Sequence, residues 1–166
     1  IICVNFISTE AYCNPKVALF GDSLMSGYGL NKEFHLSTVL EKNLKNQGFD
    51  VKIINASVSG DTTTGGLNRL NWLLENTEID IVILCLGAND MLRGTNPDLI
   101  KQNLNKILER LRKRNIKVLL AGMLSQGTYG KKYKKNFDEI FPELAKKHKV
   151  TFIPFLLKGV ALNPSY

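Results

Sequence analysis

The sequence predicts an α/β domain with a parallel sheet covered by helices on both faces, and two observations carry that prediction. Short apolar runs alternate with longer segments in which apolar residues recur at helical spacing. Clusters of glycine and small polar residues follow the apolar runs, as they do where strands turn into loops at one edge of such a sheet.

The elements are read in order. Val17-Ala18-Leu19-Phe20 is a buried strand, taken as about Lys16–Phe20. A helix over about Phe34–Asn46 places Leu36, Val39, Leu40 and Leu44 on one side, and Gly48 suits its end. A second strand is about Val51–Asn55, followed by a helix over about Thr63–Leu74 carrying Leu67, Leu70, Leu73 and Leu74. Ile79–Leu86 is an unbroken apolar run, the pattern of a strand buried on both faces. Asn96-Pro97-Asp98 opens a helix reaching about Lys113, with Leu99, Ile100, Leu104, Ile107, Leu108 and Leu111 as its stripe. Lys117–Ala121 is the fourth strand, about Tyr133–Lys147 a basic helix, and Val150–Pro154 the fifth strand. Right-handed crossovers then give a three-layer α/β/α sandwich with a five-stranded parallel sheet, flavodoxin-like in outline.

A chain of 166 residues suffices for one such domain with a real core. No apolar run approaches the ~20 residues of a membrane-spanning helix. The net charge is +7, and the cations gather between Lys131 and Lys149. A solvated helix face accounts for them, and attraction to an anionic lipid surface is the sharper reading. Aromatic interleaving is thin, with Tyr129 and Tyr133 at its start, and no nucleic-acid motif accompanies it, so nucleic acid is not expected as a partner.

The first residues differ from the rest. Ile1–Ile7 is largely apolar, and Ala11-Tyr12-Cys13 offers small residues near a cleavage site. Residues 1–14 therefore read as the remnant of a secretory signal, with a single domain over 15–166. That reading implies a periplasmic or secreted protein, the alternatives being a strand-like N-terminus and a cytoplasmic location. Cys3 and Cys13 fall in this leader. Cys85 sits in an apolar run and reads as a small buried hydrophobe. No cysteine–histidine spacing suggests a metal site.

The loop clusters hold the candidate chemistry. Gly21-Asp22-Ser23 lifts a serine hydroxyl over the sheet edge, where it can act as a nucleophile. Acyl transfer also needs donors aimed at the developing oxyanion. The Ser23 backbone N–H, the Gly60 backbone N–H and the Asn89 side chain are the candidates. Gly60 is chosen because no Cβ blocks a close approach of its backbone. Asp22 and Asp90 are expected to brace the loops. Taken singly, Ser23 could be a helix cap, and Gly60 and Asn89 turn residues. Together, each after a strand, they are far more specific.

These blocks, Ala18-Leu19-Phe20-Gly21-Asp22-Ser23-Leu24, Asn55–Thr62 and Leu86-Gly87-Ala88-Asn89-Asp90, resemble those of the Ser-Gly-Asn-His (SGNH, GDSL-type) hydrolase family. The similarity runs from about Lys16 to the end. Asn55–Gly66, Leu92-Arg93-Gly94 and Tyr129-Gly130 with Tyr133 are similar to its bacterial arylesterase, acyl-thioesterase and lysophospholipase branch. The resemblance implies Ser23 as nucleophile, with Gly60 and Asn89 completing the oxyanion hole. It implies a small acyl ester or thioester substrate and an acyl-enzyme intermediate. It implies no cofactor and no metal, and a monomer if the domain is complete. By position, Leu92–Pro97 and Gly122–Gly130 are candidate walls of an acyl pocket.

One part of the family pattern does not appear. The Asp-x-x-His block that supplies the base lies beyond Tyr166, so the expectation is a C-terminally truncated domain without its last helix and without an armed serine. Of the two histidines, His148 precedes the fifth strand and belongs to the far edge, since five strand residues span ~16 Å. His35 lies nearer and reads as a helix-end residue. The competing reading is a non-catalytic relic, or a lipid- or carbohydrate-binding module on the same fold. A nucleotide-binding protein is a third, weakened because no phosphate-cradling glycine loop follows the first strand.

Overall fold

The computed structural model describes residues 14–161. Five strands form one parallel sheet: β1 (Lys16–Gly21), β2 (Lys52–Asn55), β3 (Ile81–Cys85), β4 (Lys117–Ala121) and β5 (Thr151–Ile153). Their order is β2-β1-β3-β4-β5. In register, Leu19 pairs with Asn55 on one side and with Ile83 on the other, and Ile83 pairs with Leu119. The chain leaves β1 for β2 and returns to the far side of β1 as β3. The β1/β3 boundary is thus the topological switch point, where ligands bind in open α/β sheets.

The connecting helices are α1 (Ser23–Ser26), α2 (Leu36–Asn46), α3 (Thr63–Asn76), α4 (Ala88–Leu92), α5 (Pro97–Lys113) and α6 (Gly130–His148). Right-handed crossovers place α1 and α2 on one face and α3, α5 and α6 on the other. On the second face α3 packs on α5 and α5 on α6. The α5 stripe read from the sequence is what it buries, apart from Leu99: Ile100, Leu104, Ile107, Leu108 and Leu111. Phe137, Ile140, Phe141 and Leu144 do the same for α6. The five strands and four long helices lie within about three residues of the sequence expectation. The short helices α1 and α4, and a 3-10 turn at Lys32–Phe34, were not anticipated, because four or five residues carry no readable periodicity.

The two sheet faces differ. Val82, Leu84, Val118 and Leu120 are buried, whereas Ile83 and Leu119, on the α2 face, are half-buried. Leu19 on that same face is fully buried beneath α1 and α2. Cover on this face therefore thins from β1 towards β4 among the described residues. Cys85 is buried, and burial pushes its thiol pKa up to about 12, so it behaves as an inert hydrophobe. The leader reading of residues 1–14, including Cys3 and Cys13, falls outside the described residues except for Asn14.

One carboxylate ties α2 to the edge strand. Glu41 accepts from Ile53 N–H at 2.8 Å and pairs with Lys45 at 2.7 Å. The Lys45 bond, then the Ile53 N–H, hold its pKa below the ordinary 4.5. A depressed acid contributes stability above its unfolded value that is lost as pH falls through the folded one. Glu41→Ala is expected to cost about 1 kcal/mol at neutral pH. Its unfolding curve should converge on that of the parent as pH drops below 4.5. An unchanged pH profile in urea titrations would remove Glu41 from this role.

Candidate active site

The loops after β1, β2 and β3 meet at the carboxyl edge of the sheet, and the sequence-predicted residues meet there with them. Asp22 caps α1, its Oδ1 accepting from Leu24 N–H at 3.0 Å. That cap starts a helix at Ser23 and turns the chain sharply off the strand. Ser23 is partly exposed, and its Oγ makes no hydrogen bond among the described residues. Its backbone N–H, at the first position of α1, is likewise without a partner there.

Gly60 lies in the loop after β2, beside the Ser23 loop: Val58 N–H donates to Gly21 C=O at 3.0 Å. Its N–H also has no partner among the described residues. The structure gives a further reason for glycine here. A Cβ there would meet nothing within 4 Å, but φ is +78°, a backbone that side-chain-bearing residues avoid. This requirement is conformational.

Asn89, in α4, joins the two loops. Its Nδ2 donates to Asp61 C=O at 2.9 Å and to Asp22 Oδ2 at 3.2 Å. One amide therefore bonds the residue before Ser23 and the residue after Gly60, and both its hydrogens are engaged. Asp22 is fully buried. Burial raises its pKa most, Leu24 N–H opposes this, and the neighbouring Asp61 charge raises it further.

Asp90 is buried as well, and it braces a different element. Its carboxylate accepts from Thr63 N–H and Thr63 Oγ1, both at 2.8 Å. Asn103 on α5 donates to Thr63 Oγ1 at 3.2 Å and Thr64 Oγ1 at 2.9 Å. The start of α3 is thereby locked to α4 and α5.

Sequence reasoning missed Arg69. From α3 it donates to Asp61 Oδ2 at 2.7 Å, to Ala56 C=O at 2.6 Å and to Gly21 C=O at 3.3 Å. Its guanidinium also lies 4.0 Å from the centre of the Phe20 ring. A planar five-donor group is suited to holding three loop oxygens at once. Gly65 makes room for this arrangement, since a Cβ there would fall 2.0 Å from Asp61 Oδ1. The available signal was a charged residue embedded among Leu67, Leu70 and Leu73.

Neither histidine hydrogen-bonds Ser23. His148 hydrogen-bonds Asn105 Oδ1 at 2.8 Å at the amino edge. His35 bonds Leu30 C=O at 3.0 Å, and its ring packs over Gly27. Two hollows of about 520 and 540 Å3 also lie elsewhere. One is at the amino edge, lined by Lys16, Glu78 and Arg114, and the other lies beside α2.

A parallel sheet with a serine loop, a glycine turn and an asparagine at its switch point defines a class of α/β hydrolase acting on acyl esters. Residues 19–165 match the GDSL-like Lipase/Acylhydrolase family, and the chain belongs to it. The chain is 37% identical over 160 residues to an arylesterase of Vibrio mimicus, covering 96% of this chain and 80% of that one. It is 38% identical to Esterase TesA of Pseudomonas aeruginosa, covering 92% and 76%. It is 34% identical to Thioesterase 1/protease 1/lysophospholipase L1 of Escherichia coli K12, covering 96% and 76%. Among solved structures, the SGNH-hydrolase family esterase AlinE4 superimposes with a TM-score of 0.89 at 43% identity, covering 92% and 82%. The chain is thus a hydrolase of the SGNH type, with ester or thioester hydrolysis as its family chemistry.

Proposed function

We propose that this protein cleaves small acyl esters or thioesters through an acyl-enzyme on Ser23. The observation that carries the reading is the Asn89 amide, bonded to the neighbours of both Ser23 and Gly60. Ser23 Oγ attacks the acyl carbon as its proton passes to a base of the kind the family's Asp-x-x-His block supplies, and the carbonyl oxygen becomes an oxyanion. Collapse of the oxyanion expels the alcohol or thiol with that proton, and water then releases the acid from the acyl-enzyme. The free N–H groups of Ser23 and Gly60 receive the oxyanion. The Asn89 hydrogen shared with Asp22 over 3.2 Å, the longer of its two bonds, turns to the oxyanion as the third donor. The bond to Asp61 C=O keeps the amide in place meanwhile. Neither histidine is assigned as the base.

Arylesterase and thioesterase relatives support an ester or thioester substrate, and Leu92–Pro97 and Gly122–Gly130 are the proposed walls for its acyl chain. The apolar residues ahead of Asn14 support a periplasmic or secreted location. Fluorophosphonate labelling of the full-length protein is expected to be confined to Ser23 and lost in Ser23→Ala. Labelling that persists in that variant, or none by the folded parent protein, overturns the assignment.

A further inference from the structure

The exposed apolar side chains are distributed unevenly. Leu24, Tyr28, Leu30, Phe34, Val58 and Leu92 all stand out at the carboxyl edge, with Tyr28 76% and Leu92 66% exposed. The opposite edge and its flank expose Phe49 and Trp72, set apart from each other in the chain. The loops that carry these carboxyl-edge residues are tied to one another. Arg93, next to Leu92, donates to Gly60 C=O at 3.2 Å, and Val58 N–H bonds Gly21 C=O. Asn55 Nδ2 bonds Ser26 C=O at 3.0 Å, which brings in the Tyr28–Phe34 loop. Apolar rims of this kind mark interaction surfaces.

The charges on the rim indicate the partner. Lys32, Arg93, Lys131 and Lys132 are exposed there, and none pairs with a carboxylate among the described residues. Glu33 and Asp98 are the exposed acids nearby. The lysine stretch of α6 that looks like one patch in the sequence is divided. Lys132 and Lys147 are fifteen residues apart on one helix, or about 22 Å. Lys131 and Lys132, in the first turn of α6, share an edge with Ser23. Exposed apolar side chains flanked by unpaired cations are the pattern of a protein that seats on an anionic membrane surface.

We propose that the carboxyl-edge rim docks on an anionic phospholipid bilayer, the Tyr28–Phe34 loop entering the headgroup boundary and the flanking cations meeting lipid phosphates. The inference rests on the reading of this edge as the esterase site, because docking presents Ser23 to acyl esters held in the bilayer. Binding is measured on the Ser23→Ala chain, so loss of docking and loss of catalysis are read separately.

The test is cosedimentation with phosphatidylglycerol vesicles and with phosphatidylcholine vesicles. Binding to the first is expected to exceed binding to the second by about tenfold and to weaken with salt. Tyr28→Ser/Leu30→Ser/Phe34→Ser is expected to lower binding to phosphatidylglycerol by about tenfold. Its hydrolysis of a soluble short-chain ester should stay within about twofold of the parent. Lys146→Glu/Lys147→Glu/Lys149→Glu, at the far edge, should leave vesicle binding unchanged. A second readout guards against misfolding of the triple serine variant. Phe34→Trp in a Trp72→Phe background should shift its fluorescence to the blue on adding phosphatidylglycerol vesicles. Equal binding to both lipids overturns the proposal, as does binding abolished by the far-edge variant alone. So does a Phe34→Trp reporter that stays unshifted while the chain sediments.

Discussion

Asn89→Ala is expected to lower kcat on an ester substrate by about 100- to 1000-fold and to move KM by less than about threefold. In the proposed mechanism the amide that alanine removes turns to a charge that exists only once the acyl carbon is attacked, so the loss falls on the transition state. The substitution also cuts the bonds to Asp61 C=O and Asp22 Oδ2. If Asn89 served only to tie the loops together, its removal would loosen substrate binding and raise KM. Asn89→Asp separates the two roles further. It keeps the shape but replaces donors with an acceptor beside the Asp22 carboxylate, so it should be as slow as alanine or slower. An unchanged kcat in either variant would take Asn89 out of the oxyanion hole.

Arg69→Ala is expected to destabilise the fold by about 3 kcal/mol, seen as a lower urea midpoint at an unchanged slope. The estimate follows from what is left behind. The Asp61 side chain is only 8% exposed, and without Arg69 its charge is partly buried and unpaired. The carbonyls of Ala56 and Gly21 lose donors as well, and Phe20 loses its cation. Arg69→Lys should recover part of the stability but little of the rate, because one ammonium cannot span three oxygens held by two loops. A lysine variant with parental kcat would show that Arg69 supports the fold without positioning the site. Arg69 touches no reacting atom; it acts through the loops that carry Gly21, Ala56 and Asp61.

The candidate site was legible where its chemistry is local. Ser23, Gly60 and Asn89 each follow an apolar run within a few residues, and glycine and small polar residues leave a clear mark there. Arg69 was not legible because its partners lie 8, 13 and 48 residues away, and nothing in a helix stripe announces them. The same holds for Asp90, whose bracing was foreseen but whose partner, Thr63, lies 27 residues back. The conformational reason for Gly60 needed a φ value, which spacing alone does not supply.

What the sequence determined by itself is the set of elements, the edge at which they present polar loops, and the family. Periodicity, turn chemistry and short motifs act over a few residues, and a single chain displays them directly. The tertiary structure alone decided the strand order β2-β1-β3-β4-β5, the Arg69 clamp, and the division of the α6 lysines between two edges. These depend on which helix packs against which strand. That choice is made by burial summed over the whole core, and it brings together side chains that no local pattern links.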